Sequence, residues 1–256
     1  RMDSRRQKAE DAQAQKLDLT MKVRAQDDRI RLLTEMEKEY EGFNKAVKTV
    51  MQASEKSTLR GVHGPVAGLM TTKQEYAVAL ETALGAALQN IVVDREEDAK
   101  AAIQFLKQRD GGRATFLPLT AIRGDVLREN IAGEYGFVGV ASELVRYDSR
   151  YDGIFKNLLG RTAVMEDLDS GIALARKFRN AFRIVTLDGQ IINRGGSMTG
   201  GSASRSSGVL SRANELERLT KAQSTLHGKL TDISQQAEDA QRELQKAEYE
   251  LQVAKE

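Results

Sequence analysis

Asp188-Gly189-Gln190-Ile191-Ile192-Asn193-Arg194-Gly195-Gly196-Ser197-Met198-Thr199-Gly200-Gly201 combines a turn, a short strand and a glycine-rich run. Asp-Gly between apolar runs predicts a hairpin turn, because glycine accepts the positive φ that such a turn requires. Ile191 and Ile192 favour a β-strand, whereas the glycines that follow leave little side chain to pack. Bare backbone of this kind is typical of a place that another backbone approaches closely. We therefore expect a second protein chain to lie against this segment.

Turn-forming residues are concentrated in the middle of the chain. Of 256 residues, 21 are glycine and two are proline, and all of these except Gly42 and Gly228 lie between Gly61 and Gly208. The flanks are therefore predicted to be helical, and a middle of about 140 residues is large enough to bury its own core. The chain starts and stops within charged helical sequence, so we expect it to be part of a longer protein.

The composition excludes several classes of site. The chain has no cysteine and only two histidines, which excludes disulfides, thiolate zinc sites and cysteine nucleophiles and is compatible with a reducing compartment. No apolar run approaches the roughly 18 residues of a membrane span, and no signal-peptide pattern is present. Carboxylates cluster at predicted helix starts, where capping and the helix dipole account for them. We predict no catalytic, cofactor or metal site and no membrane partner.

Both flanks show the heptad pattern of a coiled coil. Apolar residues recur at heptad spacing over residues 19–51, and again over residues 216–254, where only Gln223 interrupts the stripe. Two such arms can pair antiparallel with each other or with the arms of a second molecule. The periodicity leaves both arrangements open.

The middle contains an internal repeat. Residues 76–85 (YAVALETALG) match residues 151–160 (YDGIFKNLLG), and residues 113–117 (RATFL) match residues 183–187 (RIVTL). Each half is predicted as strand, helix, strand, helix, strand. We expect two similar α/β units related by a pseudo-twofold axis, with residues 120–134 as the linker between them.

Together these features resemble the hinge domain of structural maintenance of chromosomes (SMC) proteins, flanked by parts of its coiled coil. The segments LLG at 158–160, RIVTLDG at 183–189 and TFLPL at 115–119 are similar to that family, and nearer to its bacterial homodimeric branch. The most specific feature is the pattern G-x6-G-x3-G-G, which is formed here by Gly189, Gly196, Gly200 and Gly201.

The resemblance implies a mixed α/β (α+β) hinge of two pseudo-repeated half-domains, flanked by an antiparallel coiled coil. We predict an N-terminal coiled-coil arm at residues 1–58 and a first half-domain with its linker at 59–134. The second half-domain is predicted at 135–202, and a linker with the C-terminal arm at 203–256.

The resemblance also implies a non-catalytic homodimerisation hinge of a chromosome condensation and segregation protein, located in the cytoplasm on the nucleoid. In that family, the glycine-rich segment of the second half-domain meets the first half-domain of a partner. ATP and Mg²⁺ belong to head domains outside this sequence, so no cofactor is expected here. The implied dimer-interface residues are Gly189, Gln190, Ile191, Ile192, Asn193, Arg194, Gly195, Gly196, Gly200 and Gly201.

A basic surplus flanks the predicted core. Residues 61–202 carry equal numbers of basic and acidic side chains, whereas segments 44–60 and 203–221 together carry eight basic residues against three acidic ones. If the arms pair, this surplus forms one patch that binds DNA phosphates without reading sequence; ordinary solvated coiled-coil charges are the alternative. The DNA-binding candidates are Lys45, Lys48, Lys56, Arg60, Arg205, Arg212, Arg218 and Lys221.

Two other functions stay open. Residues 195–202 have the outline of a nucleotide-binding P-loop, but Gly201 stands where its lysine must be, and a loop is predicted to follow instead of a helix. One alternative is therefore a coiled-coil scaffold whose globular middle binds a small ligand or nucleotide. In the other, the arms dimerise and the core is a spacer.

Overall fold

The computed structural model describes residues 2–202 and 208–255. The chain divides into a helical unit, Arg1–Lys38 with Glu215–Glu256, and a mixed α/β unit, Glu39–Asn214. The predicted N-terminal arm ran to residue 58, but residues 39–58 belong to the mixed unit.

The helical unit is an antiparallel pair of helices from one chain. It contains α1 (Met2–Lys38) and most of α7 (Val209–Val253). Ala9 packs against Ala240 and Leu244, and Arg29 donates two hydrogen bonds of 2.8 Å to Glu215. Early positions of α1 thus meet late positions of α7. The predicted coiled coil is confirmed, and the arms pair within the chain.

The N-terminal heptad pattern crosses a break in the helix. Gly42 has φ +89°, and Asn44 then caps α2 (Lys45–Glu55) by accepting a 3.0 Å hydrogen bond from the Val47 N–H. Val47 and Val50 are buried in a core cluster of the mixed unit. The pattern continues across the break because α2 also buries one face, so the single helix expected over residues 19–51 is wrong.

The first half-domain contains a three-stranded sheet in the order β1-β3-β4. β1 pairs antiparallel with β3, and β3 pairs parallel with β4. The elements are β1 (Val62–Pro65), β2 (Met70–Thr72), α3 (Gln74–Leu84), β3 (Ile91–Val93), α4 (Glu96–Gln108) and β4 (Phe116–Pro118).

The second half-domain repeats this arrangement and extends it. Its five-stranded sheet has the order β10-β9-β8-β7-β5, with β5/β7 antiparallel and β7/β8 parallel. The predicted repeat is therefore confirmed, and β9 and β10 are additions to it. The elements are β5 (Phe137–Val140), β6 (Val145–Tyr147), α5 (Asp152–Leu159), β7 (Thr162–Met165), α6 (Leu168–Lys177), β8 (Arg183–Thr186), β9 (Ile191–Ile192) and β10 (Met198–Thr199).

The two half-domains share one hydrophobic core. Leu80 of the first and Phe155 of the second, both inaccessible to solvent, belong to the same buried cluster. β2 and β6, which the sequence did not predict, pair antiparallel across the boundary. Thr72 adds a 2.7 Å hydrogen bond from its hydroxyl to the Leu144 carbonyl. The mixed unit is therefore one packed body in which each half-domain supports the other.

Candidate interaction site at the glycine-rich edge

The Asp-Gly turn forms as predicted. The Gly189 N–H donates a 2.9 Å hydrogen bond to the Thr186 carbonyl, and Gly189 has φ +87°. A Cβ at this glycine would lie 2.9 Å from the Thr82 hydroxyl and 3.2 Å from Val78, both on α3. Gly189 thus meets the first half-domain of its own chain, a role that the sequence did not indicate.

The strand after the turn lies inside its own sheet. β9 pairs with β8 on one side and with β10 on the other. Ile191 and Ile192 are 8% and 3% exposed, because their side chains fill the core clusters on the two faces of the sheet. The expectation that this strand pairs with a partner is corrected: both of its edges are occupied within the chain.

The outermost strand is β10. Met198 is 53% exposed, Thr199 is exposed as well, and the described residues place no further strand beside them. Gly195 and Gly201 have φ +89° and +135°, and a Cβ at either would meet no atom within 4 Å. We call residues 195–201 the glycine-rich edge. It is the part of the predicted interface that remains open to a partner.

The Gln190 side chain holds this edge in place. The Gly201 N–H donates to Gln190 Oε1 at 2.8 Å, and Gln190 Nε2 donates to the Gly201 carbonyl at 3.0 Å. A Cβ at Gly196 would lie 3.0 Å from Asn180 Nδ2. Of the remaining predicted interface residues, Asn193 is half-buried and Arg194 is exposed.

The sheet of the first half-domain has an open edge at β4. The corresponding edge of the second half-domain, at β8, is covered by β9. β4 corresponds to β8 in the repeat: β4 pairs parallel with β3, and β8 pairs parallel with β7. β8 is covered by β9, whereas β4 has no strand on its outer side among residues 2–202 and 208–255. The mixed unit therefore has an added hairpin beside β8, and the described residues place no such hairpin beside β4.

Known proteins share this architecture. The family model for the "SMC proteins Flexible Hinge Domain" matches residues 59–175. The SMC hinge domain of Geobacillus stearothermophilus, solved as an asymmetric dimer, is 37% identical with a TM-score of 0.85, over 95% of this chain and 99% of that one. This chain belongs to the SMC hinge family.

Two further relatives are similar to this chain, one a solved hinge domain and the other a longer protein. The Pyrococcus furiosus SMC hinge is 29% identical with a TM-score of 0.54, over 70% of this chain and 91% of that one. The chromosome partition protein Smc of Bacillus subtilis is 39% identical over 93% of this chain but only 20% of its own length. The chain thus spans about a fifth of that relative's length. The glycine-rich edge lies outside the residues matched by the family model.

A polar cluster joins the half-domains of the hinge. His63, on β1, lies 2.8 Å from the Tyr151 hydroxyl through Nδ1 and 2.6 Å from the Asp94 carboxylate through Nε2. Burial raises the pKa of Tyr151, so its hydroxyl keeps its proton. The described residues include no group of three or more side chains suited to a metal, and none of the described helices is long and apolar enough to cross a membrane.

The DNA-binding candidates fall into different environments. Lys45, Lys56 and Arg60 are exposed in the mixed unit and Lys48 is half-buried there, while Arg218 and Lys221 are exposed in the helical unit. Arg205 lies outside the described residues. Arg212 is only 7% exposed and donates a 2.8 Å hydrogen bond to the Glu41 carbonyl. Its guanidinium is therefore occupied within the chain and is not available to a phosphate.

Basic residues near the end of α4 were missed by the sequence analysis. Lys107, Arg109 and Arg113 are exposed, and a Cβ at the neighbouring Gly112 would lie 3.6 Å from Ala46, next to Lys45. The average charge of residues 61–202 is neutral and concealed this local surplus. A window over residues 107–113, with three basic residues and one acidic residue, would have shown it. The corresponding basic residues Lys177 and Arg183 of the second half-domain are engaged within the chain.

These residues of the second half-domain form an ion pair and a hydrogen bond. Lys177 pairs with Glu134, and Arg183 donates a hydrogen bond of 2.5 Å to the Ala83 carbonyl. Burial lowers the pKa of Arg183. At the corresponding positions of the first half-domain, Lys107 and Arg113 have no ion pair within the described chain.

Proposed function

We propose that this hinge is a homodimerisation module in which the glycine-rich edge of one copy lies against the β4 edge of another. The observation that carries the proposal is the unmatched pair of edges: β10 is exposed, and β4 lacks the strand that its counterpart β8 has. Unpaired edges expose rows of N–H and C=O groups that favour pairing with another strand. A twofold axis would use each contact twice. The Geobacillus stearothermophilus relative was solved as an asymmetric dimer, which supports dimerisation of the hinge.

Two substitutions at the glycine-rich edge test the proposal. We expect Gly200→Glu with Gly201→Glu to give a folded monomer, because bulky charged side chains hold the two edges apart. Sedimentation at several concentrations measures assembly, and far-UV circular dichroism verifies folding. The matched control is Gly133→Glu with Gly228→Glu, which adds the same charge at glycines where a Cβ meets nothing. An unchanged dimer in the edge variant would overturn the proposal and point to dimerisation through the arms.

In a full-length chromosome partition protein, such a module would join two coiled-coil arms at the end opposite ATP-binding heads. We propose that the hinge has no catalysis of its own and acts on the chromosome in the cytoplasm. Names of the curated relatives support the chromosomal role.

We also propose a weak DNA contact that does not read sequence. Its support is a set of cations on α2 and near the end of α4, half-buried at Lys48 and exposed at the others, which have no ion pair in the described chain: Lys45, Lys48, Lys107, Arg109 and Arg113. Junction residues Lys56 and Arg60 extend this basic surface along the chain. Cations of this kind bind phosphates by displacing condensed counterions, so binding falls steeply with salt.

Fluorescence anisotropy with duplex DNA over a range of salt concentrations tests this contact. Replacing Lys45 and Lys48 by glutamine should lower affinity equally for unrelated sequences and reduce the salt slope by about one per lost phosphate contact. Equal binding by the variant and the wild type would exclude α2 from the contact. Replacing Arg218 and Lys221 in parallel shows whether the helical unit carries it instead.

A further inference from the structure

Gln190 stands directly opposite Gly200 in the added hairpin. The β9/β10 register pairs Ile191 with Thr199, so the next pair is Gln190 with Gly200. The backbone of Gln190 is engaged towards β8: its carbonyl accepts from the Thr186 N–H, and its N–H donates to the Thr186 hydroxyl, both at 2.9 Å. By the alternation of an antiparallel ladder, the N–H and C=O of Gly200 then face away from β9. They lie on the open side of the glycine-rich edge.

The Gln190 side chain takes the place of a ladder partner where β10 ends. Its amide both accepts from and donates to the backbone of Gly201, at 2.8 Å and 3.0 Å, as a facing strand residue would. Side chains of directly opposed residues project from the same face of a sheet. To reach Gly201, the glutamine must therefore cross the position that a side chain at Gly200 would occupy.

Position 200 is a glycine because the Gln190 amide leaves no room there for a side chain. A Cβ at this position would lie 1.9 Å from Gln190 Oε1 and 3.1 Å from its Cδ. Its φ does not lie in the left-handed region, unlike that of Gly201. An alanine at Gly200 therefore fits the backbone but collides with the amide.

We propose that Gln190 is a positioning residue for the dimer contact, and that Gly200 is glycine in order to admit the Gln190 amide. The inference rests on the proposed homodimer. Glycine loses more conformational freedom on ordering than any other residue. A Gly-Gly pair without the amide would have to be ordered by the partner, which weakens association; with the amide, the edge is already extended before the partner arrives.

A double-mutant cycle tests this assignment by sedimentation. We expect Gln190→Ala and Gly200→Ala each to raise the dimer dissociation constant by about tenfold, since each removes the same pair of hydrogen bonds. The double variant should be no weaker than either single variant, because the amide can be lost only once. If Gly200 instead has to be small for the partner, Gln190→Ala dimerises normally and Gly200→Ala keeps its full effect in the Gln190→Ala background. That result would overturn the inference.

Hydrogen exchange at the Gly201 amide provides a readout within the single chain. Gln190→Ala and Gly200→Ala should both accelerate this exchange in dilute monomer, with circular dichroism unchanged. Gln104→Ala, at an exposed glutamine of α4, is the control and should alter neither exchange nor assembly. A wild-type chain that never dimerises would refute the proposed function. Exchange at the Gly201 amide would then still show whether the Gln190 side chain protects it. Unaltered Gly201 exchange in both variants would refute the positioning of the edge by Gln190.

Discussion

The first and second half-domains have the same strand order, and they differ at one end of their sheets. In each, an outer antiparallel strand, a central strand and a parallel strand follow one another. The first sheet stops at β4, whereas β8 continues through the turn at Gly189 into β9 and β10. The hairpin that covers β8 leaves its own outer edge free, and β4 keeps the edge that β8 has lost. In the proposed dimer, this difference makes the duplicated fold complementary to itself.

The same comparison separates two glycines that the repeat aligns. Gly160 has an ordinary helical φ of −66°, but a Cβ there would lie 1.9 Å from the Asp125 carbonyl. Gly85 has φ +52°, and a Cβ there would meet nothing within 4 Å. One position needs glycine because the linker passes close by, and the other because of backbone conformation.

Mixing two damaged chains is the strongest test of the difference between the half-domains. We expect Thr115→Glu, at the exposed residue directly before β4, to prevent dimerisation as Gly200→Glu/Gly201→Glu does from the other side. Each variant keeps the edge that the other lacks, so a mixture should form a dimer with one intact contact. Sedimentation of the mixture and of each variant alone measures this. A mixture that stays monomeric would contradict the pairing of these two edges.

Removing a large side chain from the shared core should affect both half-domains together. Phe155 is fully buried in the cluster to which both contribute, so Phe155→Ala should lower the free energy of unfolding by about 3–5 kcal/mol. Urea denaturation followed by circular dichroism should show a single transition for the mixed unit. Ile103→Ala, at a residue that is 52% exposed, is the control and should change stability little. Separate transitions for the half-domains would argue against one core.

The aligned glycines should respond differently to the same substitutions. Gly160→Ala should cost about 2–4 kcal/mol, because a backbone carbonyl must move, and Gly160→Asn should be at least as damaging. At Gly85 the cost should be about 1–2 kcal/mol for either substitution, because φ +52° with ψ −125° strains any L side chain while no neighbouring atom has to move. Chemical denaturation of the four variants measures this. Equal costs at Gly160 and Gly85 would remove the distinction.

The smallest expected effect concerns the basic residues that the repeat aligns. Lys107→Gln with Arg109→Gln should lower affinity for duplex DNA by a few fold at low salt and reduce the salt slope by up to about two. Lys177→Gln with Arg179→Gln, at the corresponding positions of the second half-domain, is the matched control and should lower affinity less, because Lys177 already pairs with Glu134. Anisotropy titrations compare the two pairs. An equal loss of DNA affinity in the two pairs of variants would mean that basic residues near both helix ends bind DNA alike.

Sequence patterns predicted the repeat and its elements because these depend on local chemistry. Apolar spacing predicted most helices and strands of both half-domains, although not β2, β6 or β10, and Asp-Gly at 188–189 predicted the turn. The same patterns failed at α2, where one buried face looks alike whether it packs on an arm or on the hinge core. They also failed at β9, since two isoleucines cannot reveal which strands flank them.

The sequence by itself indicated a duplicated α/β middle between two helical arms, through heptad spacing and matched segments, and its resemblance to a known family indicated a hinge. Only the tertiary structure decided which backbone is left unpaired. That depends on residues far apart in sequence: Gly189 against α3, Gln190 across Gly200, and β4 without the hairpin that covers β8. An edge is defined by the absence of a neighbour, and no local pattern encodes an absent neighbour.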